Sequence, residues 1–244
     1  KSTVEFIQPS SLAAVLNRVH DGEVSGIMGH LNANGRVFIV NPAGIIFGPS
    51  ASVNVAQLVA SSLGITDEDF RNGLPYTFTG GATAGDVINE GVPTITAEQI
   101  ALIGKQVINR GALVASDYVI MAAGDQVVIS ESSPILVQVS MPEGIPGEYE
   151  YIVDQGGSQG TGSGTVEADH VILAAGDIWS TAIKGVETLR AEAKGNVVFQ
   201  GDIEAYAEPG SDAVADVTII TGGDFTVEDS TIEAEAVGNG VDDA

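Results

Sequence analysis

The stretch VFIVNPAGIIFGPSASVNV, residues 37–55, is nearly continuous apolar sequence that turn-forming residues interrupt twice, with NPAG at 41–44 and GPS at 48–50. Asn in the first position of a turn, Pro in the second and Gly in the fourth fit a type I β-turn, whose third position accepts Ala without strain. The stretch therefore predicts buried strands that meet at a tight corner.

A repeat of about 20 residues follows this stretch. VINEG at 87–91 recurs as VINRG at 107–111. Short β-branched runs separated by Gly, Asn or Asp at this period are typical of a solenoid in which each turn contributes about three strands, whereas helical repeats are longer. We expect Asn89 and Asn109 to form a hydrogen-bonded ladder at one corner, and Glu90 and Arg110 to be neighbours on adjacent turns.

Composition and charge exclude several classes of function. The 244 residues contain 31 glycines, 5% aromatic residues, no cysteine and a formal net charge of −24. The basic residues are scattered singly, so nucleic-acid binding is not expected. The absence of cysteine excludes disulfides and thiolate chemistry. No apolar run approaches the roughly 20 residues of a transmembrane helix, so we expect no membrane insertion.

Gly-Asp pairs close several of the apolar runs, and four of these aspartates form the best candidate for a charged site. Stacked carboxylates could bind a cation weakly, or each Asp could simply begin a turn and hydrogen-bond local backbone. The three histidines are too far apart in the sequence to suggest a metal site, and we expect no cofactor. The aspartates are Asp125, Asp177, Asp202 and Asp224.

Two segments depart from the repeat. Residues 130–168 contain alternating runs, Ile135–Met141 and Glu148–Val153, joined through Pro and Gly residues, which predicts a β-hairpin outside the coil followed by a Gly/Ser loop at 156–164. PSSLAAVLNRVHDG, residues 9–22, fits either a helix or a strand, and we interpret it as a cap on the first turn. The regular pattern near the C-terminus leads us to expect that the natural chain continues.

The run from QPSSLAAVLNRV at residue 8 to MGHLNANGRVFIVNPAGIIFGPSASVNVAQLVASSL at residues 28–63 resembles the N-terminal secretion domain of the filamentous haemagglutinin family, the exported proteins of two-partner secretion. The family pattern at the turn is Asn-Pro-Asn-Gly followed by Ile or Val. Asn41, Pro42, Gly44 and Ile45 match it, whereas Ala43 replaces the family Asn. A second family motif, Asn-Pro-Asn-Leu, is not visible.

The resemblance implies an all-β fold, a right-handed parallel β-helix that forms one domain over residues 1–244. We expect a cap and first strands at 1–36, coil with the motif at 37–129, the excursion at 130–168 and further turns at 169–244.

It also implies secretion to the cell surface through the periplasm. The implied partner is an outer-membrane barrel transporter with periplasmic binding repeats. A host-surface or carbohydrate ligand would belong to the downstream chain.

Two alternatives remain open at this point. One is a β-helix that binds or cleaves polysaccharide, which would require a groove lined by carboxylates and aromatic residues. The other is a structural unit of an extracellular filament. No paired catalytic groups are evident in the sequence, so we expect a non-enzymatic protein.

Overall fold

Parallel strands stacked in register build almost the whole molecule, as seen in a computed structural model that describes residues 2–80, 83–90, 94–130, 135–144, 150–155, 164–180, 183–207, 215–228 and 230–236. A 15-stranded sheet bends along its length into two flanks, and an eight-stranded sheet forms a third flank. The described strands make eight successive turns of a parallel β-helix, each passing through the first, second and third flank in that order.

The first flank contains β1 (Thr3–Phe6), β4 (His30–Ala33), β7 (Ser52–Asn54), β18 (Thr165–Glu167), β21 (Ile183–Val186), β24 (Ile203–Ala207) and β27 (Ile232–Ala236). The second contains β2 (Ala14–Arg18), β5 (Arg36–Val40), β8 (Gln57–Ser61), β19 (His170–Ala175), β22 (Thr188–Ala193) and β25 (Asp216–Thr221). Two long strands, β12 (Ile95–Gly104) and β14 (Ala112–Ala123), pass through both flanks.

The third flank contains β3 (Ser25–Ile27), β6 (Ile45–Phe47), β11 (Val87–Asn89), β13 (Gln106–Asn109), β17 (Ile152–Gln155), β20 (Asp177–Ser180), β23 (Val197–Phe199) and β26 (Phe225–Val227). A separate antiparallel sheet, which we call the cover sheet, consists of β9 (Gly64–Ile65), β10 (Tyr76–Thr79), β15 (Gln126–Ser130) and β16 (Leu136–Ser140). The helix α1 (Asp67–Asn72) connects β9 to β10.

Alternate side chains of each strand point into the coil and stack on their equivalents in the next turn. Ile45, Val87 and Val107 are successive members of one such column and are all fully buried. Burying a side chain of this size contributes about 1.5–3 kcal/mol. The narrow interior explains why the chain uses β-branched and small residues rather than aromatic rings.

The cover sheet packs on the outer face of the second flank and creates a second apolar core. In β14, Val119 and Met121 face the coil interior while Ile120 and Ala122 face the cover sheet. Strands buried on both faces are continuously apolar, which accounts for the unbroken run YVIMAA.

The chain leaves the coil twice to build the cover sheet. The first excursion lies between β8 and β11 and was not predicted. The second leaves after β14 and ends at β17, so the predicted boundaries of 130 and 168 are wrong. Both excursions start and finish at the corner between the second and third flanks.

The predicted hairpin pairs different strands from those expected. Ile135–Met141 corresponds to β16, which is antiparallel to β15, whereas the run at 148–153 contributes β17 to the coil. Val153 fills the interior column between Val107 and Ile178 and is fully buried there, so stacking selects it for the coil. The Gly/Ser loop, apart from Gly164, lies outside the described residues.

The N-terminal segment forms strands rather than a helix. β2 is parallel to β5, and β1 and β3 pair with the second turn in the same way. This first turn covers the apolar interior of the second, as a cap would. No helix in the described part of the chain has the length and apolar character needed to cross a membrane.

Candidate functional site: the corner between the second and third flanks

Asn41–Gly44, which we call the motif corner, connects β5 to β6. The amide of Gly44 donates to the carbonyl of Asn41 at 2.9 Å, which closes the four-residue turn. The Asn41 side-chain oxygen accepts from the amide of Ala43 at 2.9 Å, a bond that preorganises the turn. Ala43 contributes only its backbone to these contacts, so the replacement of the family Asn leaves them intact.

Asn41 also links the first three turns of the coil. Its side-chain nitrogen donates to the Glu23 carbonyl and to the Ser25 hydroxyl, both at 2.8 Å, and these partners belong to the first turn. Its backbone amide donates to the carbonyl of Ser61 in the third turn at 3.0 Å. A buried amide with all of these partners is costly to replace, since an unsatisfied buried polar group costs about 1–3 kcal/mol.

Most of the motif is inaccessible in the folded coil. Asn41 is 1% exposed and Ile45 is 0% exposed, and Gly44 is also buried. Ile45 points into the apolar interior. Pro42 is the one exposed member of the matched set. The folded corner therefore presents little of its own side-chain chemistry to a partner.

Glycine is required where the motif corner meets the next turn. Gly44 has φ +114°, a conformation that other residues rarely adopt. A Cβ on Gly44 would lie 2.9 Å from the carbonyl oxygen of Asp86, and one on Gly85 would lie 2.3 Å from that of Ala43. The two glycines permit direct backbone stacking of the third turn on the motif.

The same corner recurs in the third, sixth, seventh and eighth turns with Gly-Asp or Gly-Asn in place of Ala-Gly, whereas the fourth and fifth turns have Lys105-Gln106 and Tyr151-Ile152 there. Register places Gly176-Asp177, Gly195-Asn196 and Gly223-Asp224 in one column above the motif corner and Gly85-Asp86. The Asp177 side chain accepts from the Asn196 amide at 2.6 Å, and the Asn196 side chain accepts from the Asp224 amide at 2.8 Å. At this position the side chain therefore hydrogen-bonds the backbone of the following turn.

The structure does not bring the four candidate aspartates together. Asp177 and Asp224 share the column but are separated by Asn196. Asp202 lies at a different corner, between β23 and β24, where it accepts from the Thr231 amide. Asp125 lies where the second excursion leaves the coil and accepts from the Tyr151 hydroxyl. The described residues contain no group of three or more His, Asp or Glu side chains that could hold a metal ion.

Sequence reasoning missed two members of the corner column, Asp86 and Asn196. The signal was available in AGD at 84–86 and KGN at 194–196, since Gly followed by Asp or Asn precedes a β-branched strand in both. Identical Gly-Asp pairs do not reveal which corner they occupy. For that reason Asp202 was assigned to the wrong column.

Burial and neighbouring charges shift several pKa values near the start of this column. Burial raises the pKa of Asp86, against the smaller opposing effects of a hydrogen bond from the Gln106 amide and of the Lys105 charge. Lys105 forms a 2.8 Å ion pair with Glu150, whose pKa is lowered by that hydrogen bond and charge. Burial, together with the bond to Asp125, raises the pKa of Tyr151 to about 12.

A polar ladder occupies the interior of the opposite corner, where the third flank leads back to the first. The Asn89 amide nitrogen donates to the Asn109 side-chain oxygen at 2.8 Å, and Gln155 and Ser180 continue the stack with a 2.9 Å bond. Arg110 and Glu90 form an ion pair of 3.6 Å outside it. All four ladder side chains are buried, so the ladder holds the register of the turns.

A shallow groove of about 560 Å³ runs across several turns at the corner between the first and second flanks. Its polar lining is Asn54, Thr96, Glu98, Ser116, Glu167 and Asp169. Carboxylates are present, but the described lining has no aromatic side chain on which a sugar could stack. The groove therefore has the carboxylates, but not the aromatic residues, that a polysaccharide-binding β-helix would require.

Comparison with known proteins gives consistent results. The family model of the TPS secretion domain matches residues 1–211. The crystal structure of the HMW1 secretion domain from Haemophilus influenzae superposes with a TM-score of 0.60, over 97% of this chain and 72% of that chain, at 22% sequence identity. This likeness concerns the fold.

Two curated relatives are heme/hemopexin-binding proteins of Haemophilus influenzae. One, from strain Rd, is 36% identical over 126 residues, which is 51% of this chain and 12% of the relative. The other is 38% identical over 92 residues, which is 38% of this chain and 10% of the relative. The aligned region is thus a small part of these relatives' own length.

Proposed function

Because the chain belongs to the family of TPS secretion domains, we propose that it targets a large, haemagglutinin-like surface protein for export and nucleates its folding. The implied partner is a transporter in the outer membrane, which we take to be a barrel with periplasmic binding repeats. In this role the domain carries out no chemical reaction. Its route passes from the periplasm to the cell surface.

The observation that carries this proposal is the position of Asn41 at the junction of the first three turns. Each turn of a solenoid is stabilised mainly by contacts with its neighbours. Asn41 hydrogen-bonds the first, second and third turns at once. It therefore stabilises a stack of three turns, which we take as the smallest folded unit of the coil. Later turns then add to an existing template.

Burial of the motif also bears on how a transporter recognises it. Only Pro42 remains exposed after folding, so recognition of Asn41 or Ile45 requires a chain that has not yet folded. We propose that the transporter binds this segment in extended form and that the motif corner closes after translocation. Stacking of successive turns outside the cell then opposes return of the chain.

The test measures secretion of the chain into the medium, with and without the proposed outer-membrane transporter. We expect wild-type export to require the transporter and Asn41→Ala to reduce export at least tenfold. Asn109→Ala is the matched control, because it removes a buried, hydrogen-bonded asparagine of a later turn. We expect its export to stay within twofold of wild type.

Two results would contradict the proposal. Export of the wild type without the transporter would remove the targeting function. Equal losses for Asn41→Ala and Asn109→Ala would show that Asn41 is only a buried structural residue. Circular dichroism and urea unfolding of each purified variant establish that the loss of export is not a failure to fold.

A further inference from the structure

Gly85 and Asp86 lie directly on the motif corner, at the point where the chain returns from its first excursion. The Gly85 amide donates to the Pro42 carbonyl at 2.8 Å, and the Ile45 amide donates to the Asp86 carbonyl at 2.9 Å. These two bonds join the motif to a segment some 40 residues downstream. Residues outside the motif therefore complete the backbone hydrogen bonds of the motif corner on the side that faces the third turn.

The requirement for glycine at residue 85 comes from contact alone. Gly85 does not have the left-handed backbone seen at Gly44. A Cβ at residue 85 would nevertheless lie 2.3 Å from the Ala43 carbonyl oxygen and 2.5 Å from its carbon. Backbone atoms cannot yield to such a contact as a flexible side chain can. Any side chain here would separate the third turn from the motif.

Asp86 extends the connection to the fourth turn. Its half-buried carboxylate lies beside the backbone amide of Gln106, which opposes the rise in its pKa that burial causes. Asp177 and Asn196 occupy the equivalent position in later turns, and their side chains accept from the backbone amide of the turn that follows them. Gly85 thus holds the third turn against the motif, while Asp86 provides the acceptor on which the fourth turn docks.

We propose that Gly85 and Asp86 are positioning residues of the same export element as Asn41–Gly44, and that this element is complete only when the chain has stacked through residue 86. The inference rests on the proposed export function. It extends the element from a four-residue turn to two segments that are distant in sequence. A chain that has emerged only to residue 65 would contain the motif without its closing contacts.

The first test compares export of the full chain carrying Gly85→Ala with that carrying Gly26→Ala, each co-expressed with the transporter. A Cβ on Gly26 meets only the flexible end of Met28, at 3.3 Å, so this control changes the same residue type in the first turn, on the other side of the motif. We expect Gly85→Ala to lower export at least tenfold and Gly26→Ala to stay within twofold of wild type. Equal export of all three proteins would overturn the inference.

A second pair separates positioning from general loss of stability. Asp86→Asn keeps a side-chain oxygen at the place where Asn196 uses one, so export should be retained, whereas Asp86→Ala should reduce it about as much as Gly85→Ala. This pair also applies if Gly85→Ala does not fold. Equal export of the Asn and Ala variants would contradict the role of the acceptor.

Val197→Ala provides the last control, because Val197 is fully buried in the seventh turn. If it lowers the urea midpoint as much as Gly85→Ala but is exported normally, the defect is specific to the motif corner. If export follows stability in both variants, the inference is wrong. Transporter-independent export of the wild type would instead contradict the proposed function itself.

Discussion

At the level of single residues, the bond between Tyr151 and Asp125 closes the base of the second excursion. Asp125 is where the chain leaves the coil, and Tyr151 is where it returns. The Tyr151 hydroxyl is the donor, so the bond exists only while the phenol is neutral. An ionised Tyr151 would place a second negative charge beside the carboxylate.

This geometry leads to a dependence of stability on alkaline pH. The pKa of Tyr151 is raised to about 12 in the folded chain, above the value near 10 of an unfolded tyrosine. Because the unfolded state releases its proton first, the contribution of Tyr151 is fully present below about pH 10 and is lost as the pH rises toward 12. We expect urea midpoints measured from pH 8 to 12 to fall more steeply for wild type than for Tyr151→Phe. Parallel profiles would show that the bond does not form.

The sequence predicts residue chemistry better than residue location. Turn-forming preferences identified Asn41–Gly44 and the stacked amides of Asn89 and Asn109, because both depend on local or exactly periodic features. The same preferences could not assign Asp125 and Asp202 to a particular corner, since Gly-Asp favours a turn at any corner of the coil. To assign a Gly-Asp pair to a corner, one must know how many residues each excursion inserts between successive coil strands.

At the level of elements, the second flank has two apolar faces because the cover sheet packs on it. Phe38 in β5 points outward, is fully buried and contacts Phe70 of α1 and Tyr76 of β10 edge-on, with ring centroids 5.1 and 5.3 Å apart. The apolar covering ends at β22, where Arg190 and Glu192 occupy the equivalent outward positions and form a 2.9 Å ion pair.

We expect Phe38→Ala to lower the free energy of unfolding by about 3–5 kcal/mol, because it leaves a cavity under the first excursion. Hydrogen exchange should accelerate in residues 64–79 more than in β13 or β20. The matched control is Phe225→Ala, which removes another edge-on ring pair, with Phe199 at 5.6 Å. Phe225 is 43% exposed, so a loss of only about 1–2 kcal/mol is expected. Similar losses for the two variants would argue against a second core.

The coil was predictable from its period, whereas the cover sheet was not. An alternating run such as residues 148–153 suits a hairpin strand or a coil strand equally well. What decides between them is whether its apolar side chains match the interior column above and below. Val153 does so, and this comparison requires the register of turns that are distant in sequence.

At the level of the whole molecule, stability should vary along the coil, since each turn is held by its neighbours. Turns two to six are sandwiched between other turns and also lie under the cover sheet. Within the described part of the chain, the eighth turn has no such cover and exposes Ile220 and Phe225. Cross-links cannot compensate, because the chain contains no cysteine.

We therefore expect hydrogen exchange to be at least tenfold slower in β12 and β14 than in β25 and β26. Val197→Ala, which removes apolar volume between β20 and β26, should accelerate exchange in the seventh and eighth turns and leave β5 and β8 unchanged, because coupling in a stacked array passes through nearest neighbours. Uniform acceleration throughout the coil would mean that all turns unfold as one unit. If stability is graded in this way, the turns around Asn41 stay folded while later turns open. A template that folds first during export must have this property.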